Sequence, residues 1–271
     1  MNRISGVDRF RALHGEGELL VVPNAWDVLS ARLAEETGAT AVATSSAAMA
    51  WARGYPDGEC FPLDELVRGV RDITRVLRVP LTVDLETGYA TDPRRVADAV
   101  ERIVAAGAVG VNLEDGAESA AILAEKVRAV RDRLGASVFV NARTCIVLRG
   151  KVGPERAANE VLTRARIFAE AGSDGLFVPR LVDPKAIETI VRGTPLPLNV
   201  MLDASLPSLT ALRGLGVRRV SLGPCLAEVA YGAAKRALRE LLADRSYGSL
   251  VTGGLTYAEA NGLFSPSNER L

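Results

Sequence analysis

The sequence predicts an α/β fold closed as a (β/α)8 TIM-type barrel, eight parallel strands ringed by helices, and three observations carry that expectation. Short apolar, β-branched runs recur eight times along the chain. Amphipathic helical patterns stand between them, several stopping at glycine as helices commonly do. The length of 271 residues is close to the roughly 250 that one such barrel takes. Continuous apolar strands alternating with helices mean a parallel sheet covered on its outer face, and eight such units suit a closed barrel better than an open sheet. No break in composition marks a second domain, so residues 1–271 are read as one barrel, with a tail from 246 to 271.

In order, a helical lead-in at Val7–Leu13 precedes the first strand, LLVVPNA at Leu19–Ala25, and Asp27 is placed to cap the helix that follows. Further strands are expected at Thr40–Ser46, Leu81–Glu86, Val109–Asp115 and Ser137–Arg143, then at Gly175–Arg180, Leu196–Met201 and Arg218–Pro224. Long helices are expected from Asp92, Ala120, Gly153 and Cys225. The last, running to about Arg245, is apolar on more than one side through Leu226, Val229, Ala233, Leu238 and Leu242, more than one barrel surface covers. The tail, richer in glycine and serine, is expected to pack on the barrel or on a neighbouring subunit.

Composition narrows the function classes. Hydrophobic residues at 48% and charged ones at 24% describe an ordinary globular chain and argue against disorder. Lys plus Arg and Asp plus Glu both number 33, so no global field draws the protein to nucleic acid or to an anionic membrane, and a small-molecule partner is expected. Cys60, Cys145 and Cys225 are scattered without CxxC spacing, which suggests neither a disulfide framework nor a zinc site. No apolar run nears the roughly 18 residues of a membrane span and the N-terminus carries no signal-peptide core, so a soluble, cytoplasmic protein is expected. The single histidine, His14, excludes a histidine triad or a multi-histidine metal site, and its polar neighbours place it at the surface.

In such barrels chemistry gathers at the C-terminal ends of the strands. The run LTVDLETGYA, Leu81–Ala90, ends in Asp84 and Glu86, which strand alternation puts on one face. Like charges that close either keep a proton or share a metal ion, and the metal is the sharper reading. Neighbouring strands end in Ser45, Ser46 and Ala47, in Glu114 and Asp115, in Asn141 and Arg143, in Arg180 and in Asn199. Any one acid could be a strand-end charge or a helix cap; Asp84, Glu86 and Glu114 on adjacent strands favour convergence. Arg143 reads equally as an ion-pair partner for these acids or as a planar fork for a substrate carboxylate. The Ser45–Ala47 stretch is a plain turn or a place where backbone N–H groups approach an anion. Cys145 has no histidine to activate it and reads as a packed thiol.

Six segments in order, PNAWD, TSSAA, GYPDGE, VDLETGY, VNLED and NART, resemble the isocitrate lyase and phosphoenolpyruvate mutase superfamily from Leu19 to about Leu241. The resemblance implies a barrel that binds Mg2+, with Mn2+ as a substitute, and a 2-oxo acid or its enolate, in dimers or tetramers whose barrels exchange the last helix. By position it implies that Asp84, Glu86 and Glu114 are the metal-site acids and that Asp57 reaches the metal through water. It also implies that Ser45, Ser46 and Ala47 hold the substrate carboxylate and that Arg143 binds the anionic substrate, to which Asn199 at the end of the seventh strand is added. Asp57 and Arg143 are the candidate catalytic residues.

The departures shape the expected chemistry. Isocitrate and methylisocitrate lyases carry a mobile loop with a general-acid cysteine after the third acid, whereas here Glu114–Asp115 runs through GAESAAILAEK directly into a helix. The mutase's own loop is absent as well, and Pro179 stands where many members have glutamate. The expected function is therefore an Mg2+-dependent lyase that cleaves a C–C bond or decarboxylates an oxaloacetate-like 2-oxo or 2-hydroxy acid through an enolate, and not a true isocitrate lyase. The alternatives are a 2-oxo acid binding protein with little turnover, or C–P chemistry of the phosphonopyruvate type.

Overall fold

The computed structural model describes residues 5–15 and 17–265. Nine strand segments form one parallel sheet in the order β1-β9-β8-β7-β6-β5-β4-β3-β2. They are β1 (Leu20–Val22), β2 (Asn24–Ala25), β3 (Val42–Thr44), β4 (Leu81–Asp84), β5 (Gly110–Glu114), β6 (Phe139–Arg143), β7 (Gly175–Val178), β8 (Leu198–Met201) and β9 (Arg219–Ser221). β1 pairs with β9 and β2 with β3, and only Pro23 separates β1 from β2. Proline has no N–H for a ladder, so one expected strand is cut into two segments that serve opposite neighbours and bring the ends of the sheet together. The expected eight strands are all present, as a sheet nearly closed into a barrel.

Helices alternate with the strands: α1 (Gly6–Ala12), α2 (Val28–Glu36), α3 (Ser46–Trp51), α4 (Leu63–Thr74), α5 (Pro93–Ala105) and α6 (Ala120–Leu134). Then come α7 (Pro154–Glu170), α8 (Pro184–Gly193), α9 (Leu209–Gly214), α10 (Cys225–Ala243), α11 (Gly248–Val251) and α12 (Tyr257–Gly262). Asp27 caps α2 as expected, accepting from Ser30 N, and Asp92 caps α5 ahead of a proline at its first turn. Sequence reading did not resolve α3 and α4, which fill the long connection between β3 and β4.

Alternation along each strand divides the molecule. Outward positions such as Val83, Val111, Val140, Leu176, Val200 and Val220 join the main core with apolar stripes of the helices, of which Val96, Val100 and Ile103 on α5 are typical. Inward positions form a separate cluster at the strand starts, where Phe10 of α1 plugs the barrel against Leu20, Val22, Ala41, Ala43 and Phe139. His14 belongs to this plug and is 8% exposed, contrary to the surface position expected for it. Its ring stacks on Phe139 at 4.4 Å, and Nδ1 bonds Phe10 O at 2.8 Å. The polar neighbours misled because α1 folds back across the barrel floor.

On α10 only Ala227 and Ala237 are buried, while Val229 and Leu242 expose 66% and 64% of their surface. The tail returns to the barrel, with Arg32 Nε of α2 donating to Leu263 O at 3.1 Å. Among the described residues, no helix is long and apolar enough to cross a membrane.

Candidate active site

A cavity of about 180 Å3 opens at the C-terminal ends of the strands. Ser45, Ser46, Ala47, Asp57, Asp84 and Arg143 line it, all of them expected from the sequence. Sheet register explains the innermost contacts. Glu114 and Arg143 are direct partners between β5 and β6, and Arg143 Nη1 lies 3.0 Å from Glu114 Oε2 and 3.6 Å from Asp84 Oδ2. Burial works against the Arg143 charge, yet Asp84 and Glu114 hold its pKa above the ordinary value. Burial also raises Glu114, with Arg143 opposing. Both expected roles of Arg143 start from this ion pair, and its buried Nε has no partner.

Asp84 is fixed from two sides, its N–H donating to Thr44 Oγ1 at 3.0 Å and its Oδ2 accepting from Ser46 Oγ at 3.1 Å. The other oxygen, Oδ1, is buried with no hydrogen-bond partner. A carboxylate oxygen stripped of water is costly unless a cation or donor meets it. Ser45 caps the short α3 through Ala48 N, so the turn and the backbone N–H groups proposed for anion contact are the same feature.

Glu86 departs from the alternation argument. β4 ends at Asp84, and Glu86 has φ +50°, so it sits in a turn and not on the strand face. Tyr89, at φ +60°, is also left-handed, and Gly88 at φ +102° is fixed by space, since a Cβ there would come within 2.6 Å of Val96. Two neighbours hold this turn. Glu59 accepts from Thr87 Oγ1 at 2.7 Å and Tyr89 N at 2.9 Å while its own N–H donates to Glu86 Oε1 at 3.0 Å; buried Lys126 donates to Thr87 O at 3.0 Å. The Glu86 carboxyl is pushed up to about 8, by burial above all, then by Asp57, Asp84 and Glu59 against the Glu59 N–H bond. Glu86 thus reaches the acidic cluster by a strained turn.

Among the described residues, no three carboxylate, histidine or cysteine ligands are preassembled around one point. The donor set nonetheless fits a hydrated divalent ion, which keeps several of its waters and takes one or two carboxylates directly. Asp84 Oδ1 is the free buried oxygen for direct contact; Asp57 and Asp84 act on Glu86, and Asp84 acts on Glu114, so these carboxylates are close enough to be oxygen donors suited to contact through water.

Other strand-end residues take structural places. Asp115 accepts from Thr144 Oγ1, Cys145 N and Arg164 Nη1 at 2.7–2.8 Å. Cys145 is buried, and burial pushes its thiol up to about 12, in keeping with a packed thiol. Asn199, expected to touch substrate, lies outside the cavity lining, its side chain bonded to Asn141, Ser221 and the backbone of Val200 and Arg219. Arg180, at φ +61°, stands at the exposed rim with Asp203 at 3.8 Å.

Sequence reasoning missed Asn24, Asn112, Leu148, Phe177, Met201 and Ser221, which complete the lining with Gly223 and Pro224. Two steps along a strand from a recognised inward residue find Asn112 (from Glu114) and Met201 (from Asn199). Leu148 comes from a turn without period. Asn24 closes the barrel mouth, donating to Thr44 O at 2.8 Å and accepting from Leu222 N at 2.8 Å and Gly223 N at 3.2 Å.

Comparison with known proteins places the chain among relatives of one family. The phosphoenolpyruvate phosphomutase family profile matches residues 10–242. The uncharacterized protein Rv1998c of Mycobacterium tuberculosis is 33% identical over 92% of this chain and 93% of its own. The oxaloacetate decarboxylase of Bradyrhizobium sp. (strain ORS 278) is 27% identical over 73% of this chain and 70% of its own, and 2-methylisocitrate lyases match over a similar share. A Burkholderia cenocepacia J2315 structure, provisionally assigned as a phosphonomutase, superposes with TM-score 0.82 at 38% identity, covering 86% of this chain and 99% of its own.

Proposed function

The chain belongs to the isocitrate lyase and phosphoenolpyruvate mutase superfamily, and on that footing we propose that it is an Mg2+-dependent lyase acting on a small 2-oxo acid. The observation that carries this reading is the charge balance of the cavity. Asp57 and Asp84 line it with one cation, Arg143; outside the lining, Glu114 pairs with that arginine and Glu86 lies in the field of Asp57 and Asp84; Asp84 Oδ1 is buried without a partner. An anionic substrate is repelled there until a divalent cation joins the acids.

Bound Mg2+ would neutralise the cluster and draw electron density onto the substrate's 2-oxo oxygen. The chain's own residues do the rest. Asp84, itself fixed by Thr44 and Ser46, would hold the ion. The Ser45–Ala47 backbone receives the substrate carboxylate. Arg143, kept charged by Asp84 and Glu114, faces the negative charge that develops as a bond beta to the carbonyl breaks. The connection from β5 to α6 spans only Asp115–Ser119, which leaves no cysteine-bearing lid and argues against isocitrate as substrate.

That missing lid also favours the second reading, a 2-oxo acid binder with little turnover. Oxaloacetate and phosphonopyruvate, each assayed with and without Mg2+, separate the readings. Mg2+-dependent pyruvate release supports the lyase, and saturable binding without product supports the binder. The exposed apolar face of α10 supports a dimer or tetramer sharing that helix; a monomeric mass by light scattering at micromolar concentration would contradict this.

A further inference from the structure

The floor of the barrel holds a cation for which the neighbouring side chains supply no counter-charge. Arg219 is entirely buried, and of its nitrogens only Nε is bonded, donating to Ser221 Oγ at 3.3 Å, while Nη1 and Nη2 have no partner. Burial lowers its pKa to about 10, which still leaves it protonated at neutral pH. Among the described residues, Asp84 is the one acid whose field reaches it, and that carboxylate already faces Ser46 and Arg143 at the mouth. His14 brings no negative charge, because its Nδ1 donates to Phe10 O and Nε2 of the neutral ring is a bare, unpartnered acceptor. A guanidinium taken out of water with nothing of opposite sign beside it is costly. Across the barrel from β9 the inward positions are small, with Ala43 on β3, Thr82 on β4 and Gly110 on β5. The Thr82 hydroxyl is also buried and unpartnered.

We propose that the barrel interior below the mouth is a binding site for one small monovalent anion of the chloride class, held by Arg219 Nη1 and Nη2 and by the Thr82 hydroxyl. All three are buried donors that face the same interior, and an anion accepts from each of them while cancelling the charge. Buried water would satisfy the N–H groups but would leave the charge unbalanced. A divalent oxyanion would leave a second charge buried in its place. A spherical ion also imposes no direction on the donors that converge on it. The approach is from the strand starts, where a cavity of about 270 Å3 is lined by His14, Leu198 and Arg218 among others. Arg218 directly precedes Arg219, and its charge favours an anion over a cation at that entrance. The site stands apart from the acids of the mouth, so it does not depend on the lyase reading.

Urea denaturation in potassium chloride, with ionic strength held constant by bulky potassium gluconate, reads the site without any substrate. The wild-type midpoint should rise with chloride and level off, as it does for a ligand that binds only the folded chain. Arg219→Met, at least as stable as the wild type in gluconate alone, should show no such rise. Thr82→Val keeps the shape of the side chain and should raise the half-saturating chloride concentration about tenfold, the effect of one lost hydrogen bond to a charge. That variant decides the matter if Arg219→Met does not fold. Crystals of the wild type grown in bromide should show an anomalous peak within hydrogen-bond reach of the Arg219 Nη atoms. A chloride response that is the same in the wild type and in either folded variant overturns the proposal, as does a bromide map with water alone beside Arg219.

Discussion

Two arginines point into this barrel, and they live in opposite worlds. Arg143, at the mouth, sits part-buried between Asp84 and Glu114 and keeps its charge. Arg219, on β9 near the floor, is entirely buried, lies 5.8 Å over the Phe10 ring, and has no partner for Nη1 or Nη2. Burial pulls its pKa down to about 10, with only the field of Asp84 opposing. The barrel is therefore polarised along its axis, with excess acid at the mouth and an uncompensated cation beneath. The mouth carries acid in excess of its cation and the floor does not.

The strongest way to break that contrast is to remove acid from the mouth. Asp84→Asn keeps the shape of the side chain and should weaken Mg2+ binding by about 100-fold, or about 2.7 kcal/mol, measured by calorimetry. Unchanged Mg2+ affinity would move the ion away from Asp84. Next in size, Arg143→Ala should weaken binding of a 2-oxo acid by about 2 kcal/mol or more, since it leaves a buried carboxylate without charged hydrogen bonds, and Arg143→Lys should restore little of the fork. Equal affinity in Arg143→Ala would reduce this residue to an ion-pair partner of Asp84 and Glu114.

The mouth was largely legible in the sequence and the floor was not, for physical reasons. Asp84, Glu114 and Arg143 end apolar runs, and strand alternation with parallel register carries such residues to one place. Glu86 escaped the same logic because the chain leaves the strand at Asp84 and turns through a left-handed conformation held by Glu59 and Lys126, neither of which periodicity flags. Asn199 continues the alternation but spends its amide inside the barrel. His14 looks like a surface residue in sequence, and only the folding of α1 across the floor buries it.

His14 sharpens the comparison through pH. Burial first, and then the nearby Arg219 charge, lower its pKa from 6.5 to about 3, while the bond to Phe10 O opposes. The unfolded chain therefore binds a proton that the folded one refuses, so stability is lost as pH falls from 6.5 toward 3. The loss at pH 5 should be about 2 kcal/mol. Thermal melts of wild type and His14→Phe between pH 7 and pH 5 check it: the wild-type midpoint should fall more steeply, and parallel slopes would mean that the imidazole is not held neutral.

The smallest expected effect concerns Arg219 itself, and its sign is the informative part. Replacing a buried charge by an apolar side chain of similar length is often neutral or stabilising, because the desolvation of the ion is relieved while few compensating bonds are lost. Arg219 makes one such bond, from Nε to Ser221 Oγ at 3.3 Å, and its stem already packs among Phe10 and the other apolar residues of the floor. Arg219→Met should therefore leave stability unchanged or raise it by about 1 kcal/mol in urea denaturation, and should raise the His14 pKa by removing a nearby positive charge. Arg143→Met, made as the control, should destabilise instead, because Asp84 and Glu114 would be left buried without their cation in the absence of Mg2+. If Arg219→Met loses several kcal/mol, the guanidinium is satisfied by buried water that makes it part of the floor's hydrogen-bond network, and the two arginines are more alike than their protein partners imply.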